Sequence, residues 1–258
     1  MNDPQPLHDA LGIVGDALVA TVGAGGKTTL LFALARERAH PDAAEGRRTM
    51  AVLTTTTKFT IPHEADDLPL MLGTNPAARA GAIQDAWRLN HAAIIVGSGQ
   101  GERGRVLAVE PEWPAQALSL AQVGLVCVEA DGAAGRGFKA PAEHEPVLPA
   151  SMTHVLACVS VAVLGKPLDA KAVHRPERVA PLTCTPPDDL VTAEVIAGVL
   201  SHEEGGRKGV PPGAAFVVVV TNAARDAEGA AAIAAACHEA GVEVVVGFDA
   251  RTSFSHRL

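Results

Sequence analysis

The sequence contains no tyrosine and few other aromatic residues. Aromatic residues make up only 3% of its 258 positions, so a core must be built mainly from Ala, Val and Leu. Hydrophobic residues still reach 48% of the chain, which is ample for a buried interior. A chain of this length can form one large domain or two small ones, and we favour one.

Basic blocks and long apolar runs are missing as well. The formal net charge of −8 argues against a surface for nucleic acid or an anionic membrane, because both require concentrated Lys and Arg. The longest apolar stretches, around residues 216–220 and 242–247, fall far short of the roughly 18 residues that span a bilayer. No basic region followed by an apolar one opens the sequence, so no secretion signal is predicted and a cytoplasmic location is expected.

Patterns for metal or disulfide sites are also scarce. The four cysteines form no C-x-x-C pair and three of them sit in apolar runs, so buried reduced thiols are expected. The pairs His144-Glu145 and His174-Arg175 are far apart and lack helical metal-ligand spacing, which disfavours a metal site at either. The cysteines are Cys127, Cys158, Cys184 and Cys237.

One stretch combines an apolar run, a glycine cluster and a second apolar run. Residues 17–34 read ALVATVGAGGKTTLLFAL, which is typical of a strand, a tight loop and a helix. Glycine lets such a loop take positive φ angles and bring successive backbone N–H groups close to an anion. A helix that begins near Lys27 directs its unsatisfied N–H groups at the same place. The stretch therefore predicts a phosphate-binding loop.

The side chains that follow the glycines fit a nucleoside triphosphate with Mg²⁺. Lys27 is expected to reach the β- and γ-phosphates and to be exposed in the empty site, while the Thr28 hydroxyl is expected to coordinate the metal. The pattern G-x-x-x-x-G-K-[ST] is incomplete, because Thr21 occupies the place of its first glycine. The alternative is a glycine-rich turn that binds nothing. The predicted nucleotide contacts here are Gly23, Ala24, Gly25, Gly26, Lys27, Thr28 and Thr29.

Apolar runs alternate with helical patterns along the rest of the chain. The sequence predicts strands near 18–22, 50–55, 92–96, 105–109, 123–128, 154–164, 216–220 and 242–247, and helices near 27–39, 77–89, 113–122, 192–200 and 226–240. Residues 1–16, 58–76 and 249–258 are predicted as a lead-in, a loop or lid, and a tail. This alternation predicts an α/β fold, a three-layer, doubly wound, mostly parallel sheet of the P-loop NTPase type, with room for a small insertion at about 58–110.

Two carboxylates follow the strongest apolar run of the first half. Glu129 and Asp131 are two residues apart, so their side chains are expected on one face of the strand end. In a phosphate-loop fold, acids at this position hold Mg²⁺ or orient the attacking water. We therefore predict catalytic roles for Lys27, Glu129 and Asp131, with Thr28 and Glu129 as metal ligands. The alternative is that both acids cap the turn that follows.

Further polar residues lie at predicted strand ends or in the loop after the acids. Thr55, one of four threonines at 54–57, either contacts the γ-phosphate or simply favours a strand. Arg136, a predicted catalytic residue, and Lys139 either neutralise transition-state charge or face solvent. Asn222 ends a strand where a nucleotide base could be read, or caps a turn.

Five blocks of this sequence resemble the YqeC family of selenium-dependent hydroxylase accessory proteins. They are GAGGKTT (23–29), TTTTK (54–58), VEADGAAGRGFKAPAEHEPVLP (128–149), LGKPL (164–168) and HRPE (174–177). The resemblance extends from about residue 18 to 222, and EADGA followed by K-A-P and H-E-P is specific. The family is assigned to the maturation of molybdenum hydroxylases.

The resemblance implies a nucleotide-using accessory protein. It would couple binding or hydrolysis of ATP or GTP, with Mg²⁺, to cofactor insertion or modification in a molybdenum hydroxylase, so the enzyme or its molybdopterin cofactor is the expected partner. Glu129-x-x-Gly132 is similar to the acidic motif of metallochaperones that hydrolyse nucleotides, but their guanine-reading N-K-x-D sequence is absent at 221–226. Two alternatives remain, an ATP-dependent small-molecule kinase or ligase and a nucleotide-sensing module that does not hydrolyse.

Overall fold

Apolar runs rich in β-branched residues form the strands, as expected for side chains that pack well on a pleated surface. The structure is a computed structural model, and it describes residues 5–38, 49–62, 67–250 and 254–258. The strands are β1 (Ala17–Gly23), β2 (Met50–Thr55), β3 (Lys58–Phe59), β4 (Leu70–Leu72), β5 (Ala93–Gly97), β6 (Val106–Leu107), β7 (Val123–Glu129), β8 (Phe138–Lys139), β9 (His154–Ser160), β10 (Val173–His174), β11 (Ala215–Thr221), β12 (Val244–Asp249) and β13 (Phe254–Arg257). The helices are α1 (Leu7–Leu11), α2 (Lys27–Arg38), α3 (Pro76–Arg88), α4 (Trp113–Leu118), α5 (Pro176–Thr183), α6 (Ala193–Ser201) and α7 (Ala227–Glu239).

One large sheet organises the described residues. Nine of their strands pair in the order β13-β12-β11-β9-β1-β7-β2-β5-β4, and all neighbours are parallel except β12 and β13. The chain leaves β7 on one side of β1 and returns as β9 on the other side, so the strand order reverses at β1. Open α/β sheets bind ligands at such a reversal, beyond the carboxyl ends of the strands. The predicted α/β fold with a mostly parallel sheet is confirmed.

Helices cover both faces of the sheet, because its central strands are apolar on both sides. All seven residues of β7 and of β9 are buried. Helices α1 and α2 share one core with alternate strand residues such as Val19 and Cys127. Helices α3 to α7 share the opposite core with the other alternate set, which includes Ala20 and Val128. The result is three layers, helix, sheet and helix.

Two short strand pairs lie outside the main sheet. Strands β3 and β6 pair antiparallel, with Lys58 opposite Leu107, and β8 and β10 pair parallel, with Lys139 opposite His174. Strand β3 follows β2, and β8 follows β7, so each pair lies beyond the carboxyl end of a main strand. Both pairs therefore border the region where a ligand is expected.

Local signals set several helix ends as predicted. The Thr192 hydroxyl accepts a hydrogen bond from the backbone N–H of Val195 at 3.3 Å, and the Asp226 carboxylate accepts one from Gly229 at 2.8 Å. Thr192 and Asp226 are thus the N-caps of the two helices predicted to begin at these residues. Gly241 follows α7 with a φ of +81°, a conformation that favours glycine after a helix.

The predicted lead-in and tail are wrong, because tertiary contacts give both regions regular structure. The lead-in contains α1, whose N–H groups at Leu7 and His8 donate to the Glu37 carboxylate of α2 at 2.7 and 2.8 Å. In the predicted tail, β13 adds to the sheet as an antiparallel edge strand beside β12. Neither contact has a local sequence signal.

Other predicted boundaries are displaced. The strand predicted over 154–164 stops at Ser160, whose hydroxyl accepts from Ala162 N–H as the chain enters a 3₁₀ turn. The helix predicted over 113–122 ends at Leu118, and β3 and β4 lie within the predicted loop 58–76. The sequence also indicates Pro41 and Gly46 as stop signals for the helix predicted to end near 39, and all three positions lie outside the described residues. None of the described helices is both long enough and apolar enough to cross a membrane.

Candidate functional site

The glycine loop, residues 23–26, connects the end of β1 to α2 at the centre of the sheet. Gly23, Gly25 and Gly26 have φ angles of +80°, +79° and +83°. A Cβ at Gly25 would lie 2.8 Å from the backbone nitrogen of Ser160 and 3.0 Å from the carbonyl oxygen of Gly137. Both the backbone conformation and the lack of space therefore require glycine at this position.

Neighbouring strands hold the glycine loop in place. The N–H of Ala24 donates to the Cys158 carbonyl of β9 at 2.9 Å, and the Thr221 hydroxyl at the end of β11 donates to the Gly25 carbonyl at 2.8 Å. Helix α2 starts directly after the loop, with Leu30 N–H bonded to the Gly26 carbonyl at 2.9 Å. The loop is thus fixed between two strand ends and a helix N-terminus, the arrangement that presents backbone N–H groups to an anion.

Lys27 is buried rather than exposed, with only 4% of its surface accessible, so the expectation of an exposed amine is wrong. Its ammonium donates to the Gly23 carbonyl at 2.7 Å and lies 3.2 Å from an Asp131 carboxylate oxygen. Burial alone would lower the Lys27 pKa, but the charges of Asp131 and Glu129 outweigh this and raise it. Lys27 is therefore a buried cation held beside the loop by a carboxylate that follows the neighbouring strand β7.

Thr28 and Glu129 form a second contact between the loop and β7. The Thr28 hydroxyl donates to Glu129 Oε2 at 2.5 Å. Glu129 ends β7, the strand that pairs with β1. Burial raises the pKa of Glu129, while Lys27 and the Thr28 hydrogen bond oppose that rise. The two predicted metal ligands thus lie in direct contact. Thr29, a predicted nucleotide contact, lines the larger cavity described below.

Asp131 links the glycine loop to the segment that crosses from β7 to β9, residues 130–153, here called the crossing segment. One carboxylate oxygen accepts the Gly23 N–H at 3.1 Å and lies 3.1 Å from the Lys139 ammonium. The other oxygen faces Lys27 at 3.2 Å. Glu129 and Asp131, both predicted to be catalytic and to lie on one face of the strand end, have different partners: Glu129 contacts Thr28, whereas Asp131 joins two lysines and the loop backbone.

The crossing segment is held by a buried chain of charges. Lys139 donates to Glu145 at 2.6 Å and to the Gly132 carbonyl at 2.7 Å, and Arg175 donates to both Glu145 oxygens at 2.6 and 3.3 Å. Burial would raise the Glu145 pKa, but hydrogen bonds from Arg175 and Lys139 lower it to about 2. The reading of Lys139 as a solvent-facing charge is wrong, because its side chain is fully buried.

The four threonines 54–57, at the end of β2 and just after it, have distinct surroundings. The Thr55 hydroxyl donates to the Glu129 carbonyl at 2.8 Å, and the Thr56 hydroxyl donates to the Val147 carbonyl at 2.6 Å. Thr57 lines the larger cavity, while the Thr54 hydroxyl is buried without a hydrogen-bond partner among the described residues. Thr55 therefore supports the strand end that carries Glu129, and Thr57 is the member of the run that faces the cavity.

Two cavities meet at the glycine loop. The larger, of about 810 Å³, is bounded by the loop, Glu129, the crossing segment and the ends of β3 and β10. The smaller, of about 670 Å³, is bounded by the segments that follow β9 and β11. Gly25, Gly135 and Arg136 line both cavities. A ligand in contact with the loop can therefore extend into either space.

Arg136 and Asn222 stand on the rim of these cavities. The Arg136 guanidinium donates to the Ala170 carbonyl at 2.8 Å and so holds the crossing segment against the segment before β10. Asn222 has a φ of +57° and its side-chain amide donates to the Ser160 hydroxyl at 3.0 Å. Asn222 lines only the smaller cavity, on the β11 side of the loop.

Cysteines and other potential metal ligands do not cluster in the described part of the chain. No group of three or more His, Cys, Asp or Glu side chains with metal-ligand placement occurs among the described residues. All four cysteines are unpaired, but Cys184 is exposed, so the expectation of buried thiols fails there. Burial raises the pKa of the Cys158 thiol, just behind the loop, to about 12. Cys158 is therefore a packing residue at neutral pH.

Four residues of the site were not predicted. Ser160 ends β9 beside β1, and Thr221 ends β11 beside β9, so a polar residue at a strand end was the available signal. Glu145 and Arg175 belong to sequence pairs that were considered only as metal ligands. Their mutual contact spans 30 residues and has no local signal.

Comparisons with known proteins agree on one family. The sequence model of the YqeC protein family matches residues 19–177. The chain is 31% identical over 212 residues to a protein of Escherichia coli (strain K12) named "Uncharacterized protein YqeC", covering 82% of this chain and 78% of that protein. No solved structure matches the chain. The matched region contains the glycine loop, Glu129, Asp131 and the buried charges of the crossing segment, and the chain belongs to the YqeC family.

Proposed function

We propose that this chain binds ATP or GTP together with Mg²⁺ at the glycine loop and hydrolyses it, as a protein with a fold of the P-loop NTPase type. The observation that supports this most directly is one arrangement of three side chains. Lys27 and Thr28 open the helix after the loop, and Glu129 reaches Thr28 from the adjacent parallel strand at 2.5 Å. A cation, a hydroxyl and a carboxylate at a helix N-terminus are the groups that hold a magnesium triphosphate.

The residues present fit both groups. Hydroxyl and carboxylate oxygens, such as those of Thr28 and Glu129, are the ligands that Mg²⁺ prefers. The backbone N–H groups of the loop and the Lys27 ammonium would hold the β- and γ-phosphates. Mg²⁺, when bound there, would neutralise negative charge on the phosphate oxygens. Lys27 would exchange its contact with Asp131 for a phosphate oxygen, while Lys139 and Gly23 N–H still face Asp131.

Hydrolysis would rely on placement and charge. Glu129 is positioned to hold a metal-bound or attacking water, and Arg136 lines both cavities at the loop, where its guanidinium could approach the transferring phosphoryl group. Asp131 would act as a positioning residue, because it holds the loop backbone and Lys27 rather than facing the larger cavity. Phosphoryl transfer depends almost wholly on such placement, so small displacements of these groups are costly.

The proposed cellular role rests on the resemblance to YqeC proteins. Nucleotide binding or hydrolysis would be coupled to cofactor insertion or modification in a selenium-dependent molybdenum hydroxylase, with the hydroxylase or its molybdopterin cofactor as partner. A second candidate, an ATP-dependent small-molecule kinase or ligase, is favoured by the extra space in the larger cavity. A sensing module that never hydrolyses is a third. Phosphate release from the protein alone, with molybdopterin cofactor, and with a panel of small acids separates the three.

The test of the nucleotide site is Lys27→Ala. We expect the magnesium triphosphate to bind at least tenfold more weakly, a loss of about 1.4 kcal/mol, because the negatively charged phosphates lose the buried Lys27 ammonium. Calorimetry measures the affinity. Urea unfolding without ligand measures separately how much stability the variant loses because Asp131 no longer pairs with Lys27. If Lys27→Ala binds ATP and GTP as tightly as the parent does, a phosphate-binding role for the loop is ruled out.

A further inference from the structure

The larger cavity extends well past the place that a triphosphate would occupy. The carboxyl ends of the parallel strands run along one edge in the order β11, β9, β1, β7, β2. Along that edge lie Asn222 beside the smaller cavity, then the glycine loop, then Glu129, and then Thr57 after β2. Neighbouring strands are about 4.8 Å apart, so β2 ends roughly 10 Å beyond β1.

The order of these residues along the sheet edge indicates which way a bound nucleotide would lie. The smaller cavity lies on the β9 and β11 side and has room for a nucleoside, while Thr28 and Glu129 mark the γ-phosphate end on the β7 side. The part of the larger cavity bordered by β3 therefore lies beyond the γ-phosphate. A simple nucleoside triphosphatase has no need for a second binding space there.

The lining of this outer part is cationic. Of the charged side chains around the larger cavity, five are cationic and two are carboxylates, namely Lys27, Lys58, Arg105, Arg136 and Arg175 against Glu129 and Glu145. Glu145 is already matched by Lys139 and Arg175. Burial and the nearby Arg175 and Lys139 cations lower the His174 pKa, so its ring is a neutral donor or acceptor there.

Two of these cations lie at the small β3/β6 pair, since Lys58 belongs to β3 and Arg105 directly precedes β6. Lys58 and Arg105 are exposed, and within the described parts of the chain neither forms an ion pair or a side-chain hydrogen bond. The antiparallel pairing of β3 with β6 brings their segments together. A further cavity of about 340 Å³ adjoins the same two side chains, so the cationic space continues outward.

From this arrangement we propose that the outer part of the larger cavity binds a small, phosphate-bearing second substrate, held by Lys58 and Arg105 and approached by Arg136. The inference rests on the proposed nucleotide site, since it places this substrate beyond the γ-phosphate. Paired lysine and arginine donors suit a multiply charged phosphate group, and a space of several hundred Å³ suits a small molecule. The protein would then act on two ligands at once.

The test uses inorganic pyrophosphate as the probe. Protein is first saturated with the non-hydrolysable imido analogue of ATP in excess Mg²⁺, and calorimetry then measures pyrophosphate binding. We expect one equivalent to bind, at least tenfold more weakly in Lys58→Ala/Arg105→Ala, with nucleotide affinity changed less than threefold. Arg88→Ala removes an exposed cation of α3 outside the cavity and should leave both affinities unchanged.

Three results would overturn the proposal. They are no pyrophosphate binding to the nucleotide-saturated parent, equal binding by parent and double variant, or loss of nucleotide affinity in place of pyrophosphate affinity. Citrate serves as the carboxylate probe, and citrate binding as tight as pyrophosphate would overturn the phosphate assignment. If the nucleotide itself fails to bind, pyrophosphate is titrated into unliganded Lys27→Ala. Binding that still depends on Lys58 and Arg105 would then support the anion site although the nucleotide site had failed.

Discussion

The glycine loop and the crossing segment lie side by side but are held by different forces. The loop is fixed by backbone geometry and by uncharged hydrogen bonds from Ala24 and Thr221. The crossing segment contains no helix and is held by buried ion pairs among Asp131, Lys139 and Glu145, with Arg175 reaching in from outside. Changes of volume should therefore disturb the first region most, and changes of charge the second. Asp131 belongs to both and couples them.

The largest effect on stability is expected from Lys139→Met. The methionine keeps most of the apolar stem but leaves Glu145 and Asp131 with one buried cationic partner fewer. Removing one member of a buried ion pair costs about 3 kcal/mol or more, and we expect a loss of that size in the free energy of unfolding. Urea denaturation measures it.

Lys166→Met is the matched control, because Lys166 is exposed in the segment after β9. Its stability should change by less than about 0.5 kcal/mol. A combined Lys139→Met/Glu145→Gln variant should recover part of the loss. Equal stability of Lys139→Met and the parent would show that the charge chain does not hold the crossing segment.

Gly25→Ala tests the loop side of the comparison. The added methyl would lie 2.8 Å from the Ser160 backbone nitrogen at a φ of +79°, so the loop must move and its N–H groups lose their common direction. We expect nucleotide affinity to fall at least 100-fold, about 2.7 kcal/mol, by calorimetry. Gly165→Ala provides the control, since Gly165 has a φ of +73° but open space around it. Similar affinity losses in both variants would mean that backbone strain, not the close packing at Ser160, is responsible.

Glu129→Gln and Asp131→Asn should separate chemistry from positioning. Glu129→Gln keeps size and removes charge, so we expect nucleotide affinity within about tenfold, or 1.4 kcal/mol, of the parent and a larger drop in hydrolysis. Asp131→Asn should instead weaken both stability and affinity, because Asp131 holds Gly23 and Lys27.

Single-turnover phosphate release and urea unfolding distinguish the two variants. The parent must first show turnover, with its partner enzyme present if required. If both variants hydrolyse at the parent rate, the two carboxylates are structural caps.

The glycine-loop side of the site could be predicted from the sequence much better than the buried charges of the crossing segment. The glycines, Lys27, Thr28 and Glu129 follow one local strand-loop-helix pattern and one apolar strand, so their meeting could be predicted. The burial of Lys27 could not be predicted, because it depends on Asp131, more than 100 residues away in the chain. The contact of Glu145 with Arg175 could not be predicted either, because it too joins distant parts of the chain. Nor could β13, because the polar tail becomes a strand only by pairing with β12.

The smallest expected effect concerns the choice between ATP and GTP. A guanine-reading site needs an Asn, a Lys and an Asp in fixed spacing, and here Ala223 follows Asn222 in place of the Lys. The Asn222 amide already donates to Ser160 at 3.0 Å, and Asp226 caps α7 through Gly229 N–H. With both polar groups engaged in the fold, neither is free to discriminate the purine edge strongly.

We therefore expect the affinities for ATP and GTP to lie within about tenfold of each other, less than 1.4 kcal/mol. Paired calorimetric titrations in Mg²⁺ measure the ratio. Asn222→Ala should change both affinities by the same factor, because it alters the rim of the smaller cavity rather than a base contact. A preference for GTP above roughly 100-fold, about 2.7 kcal/mol, would mean that other residues of the smaller cavity read the base. Lys166 and Asp169, which line that cavity, would then be the first to substitute.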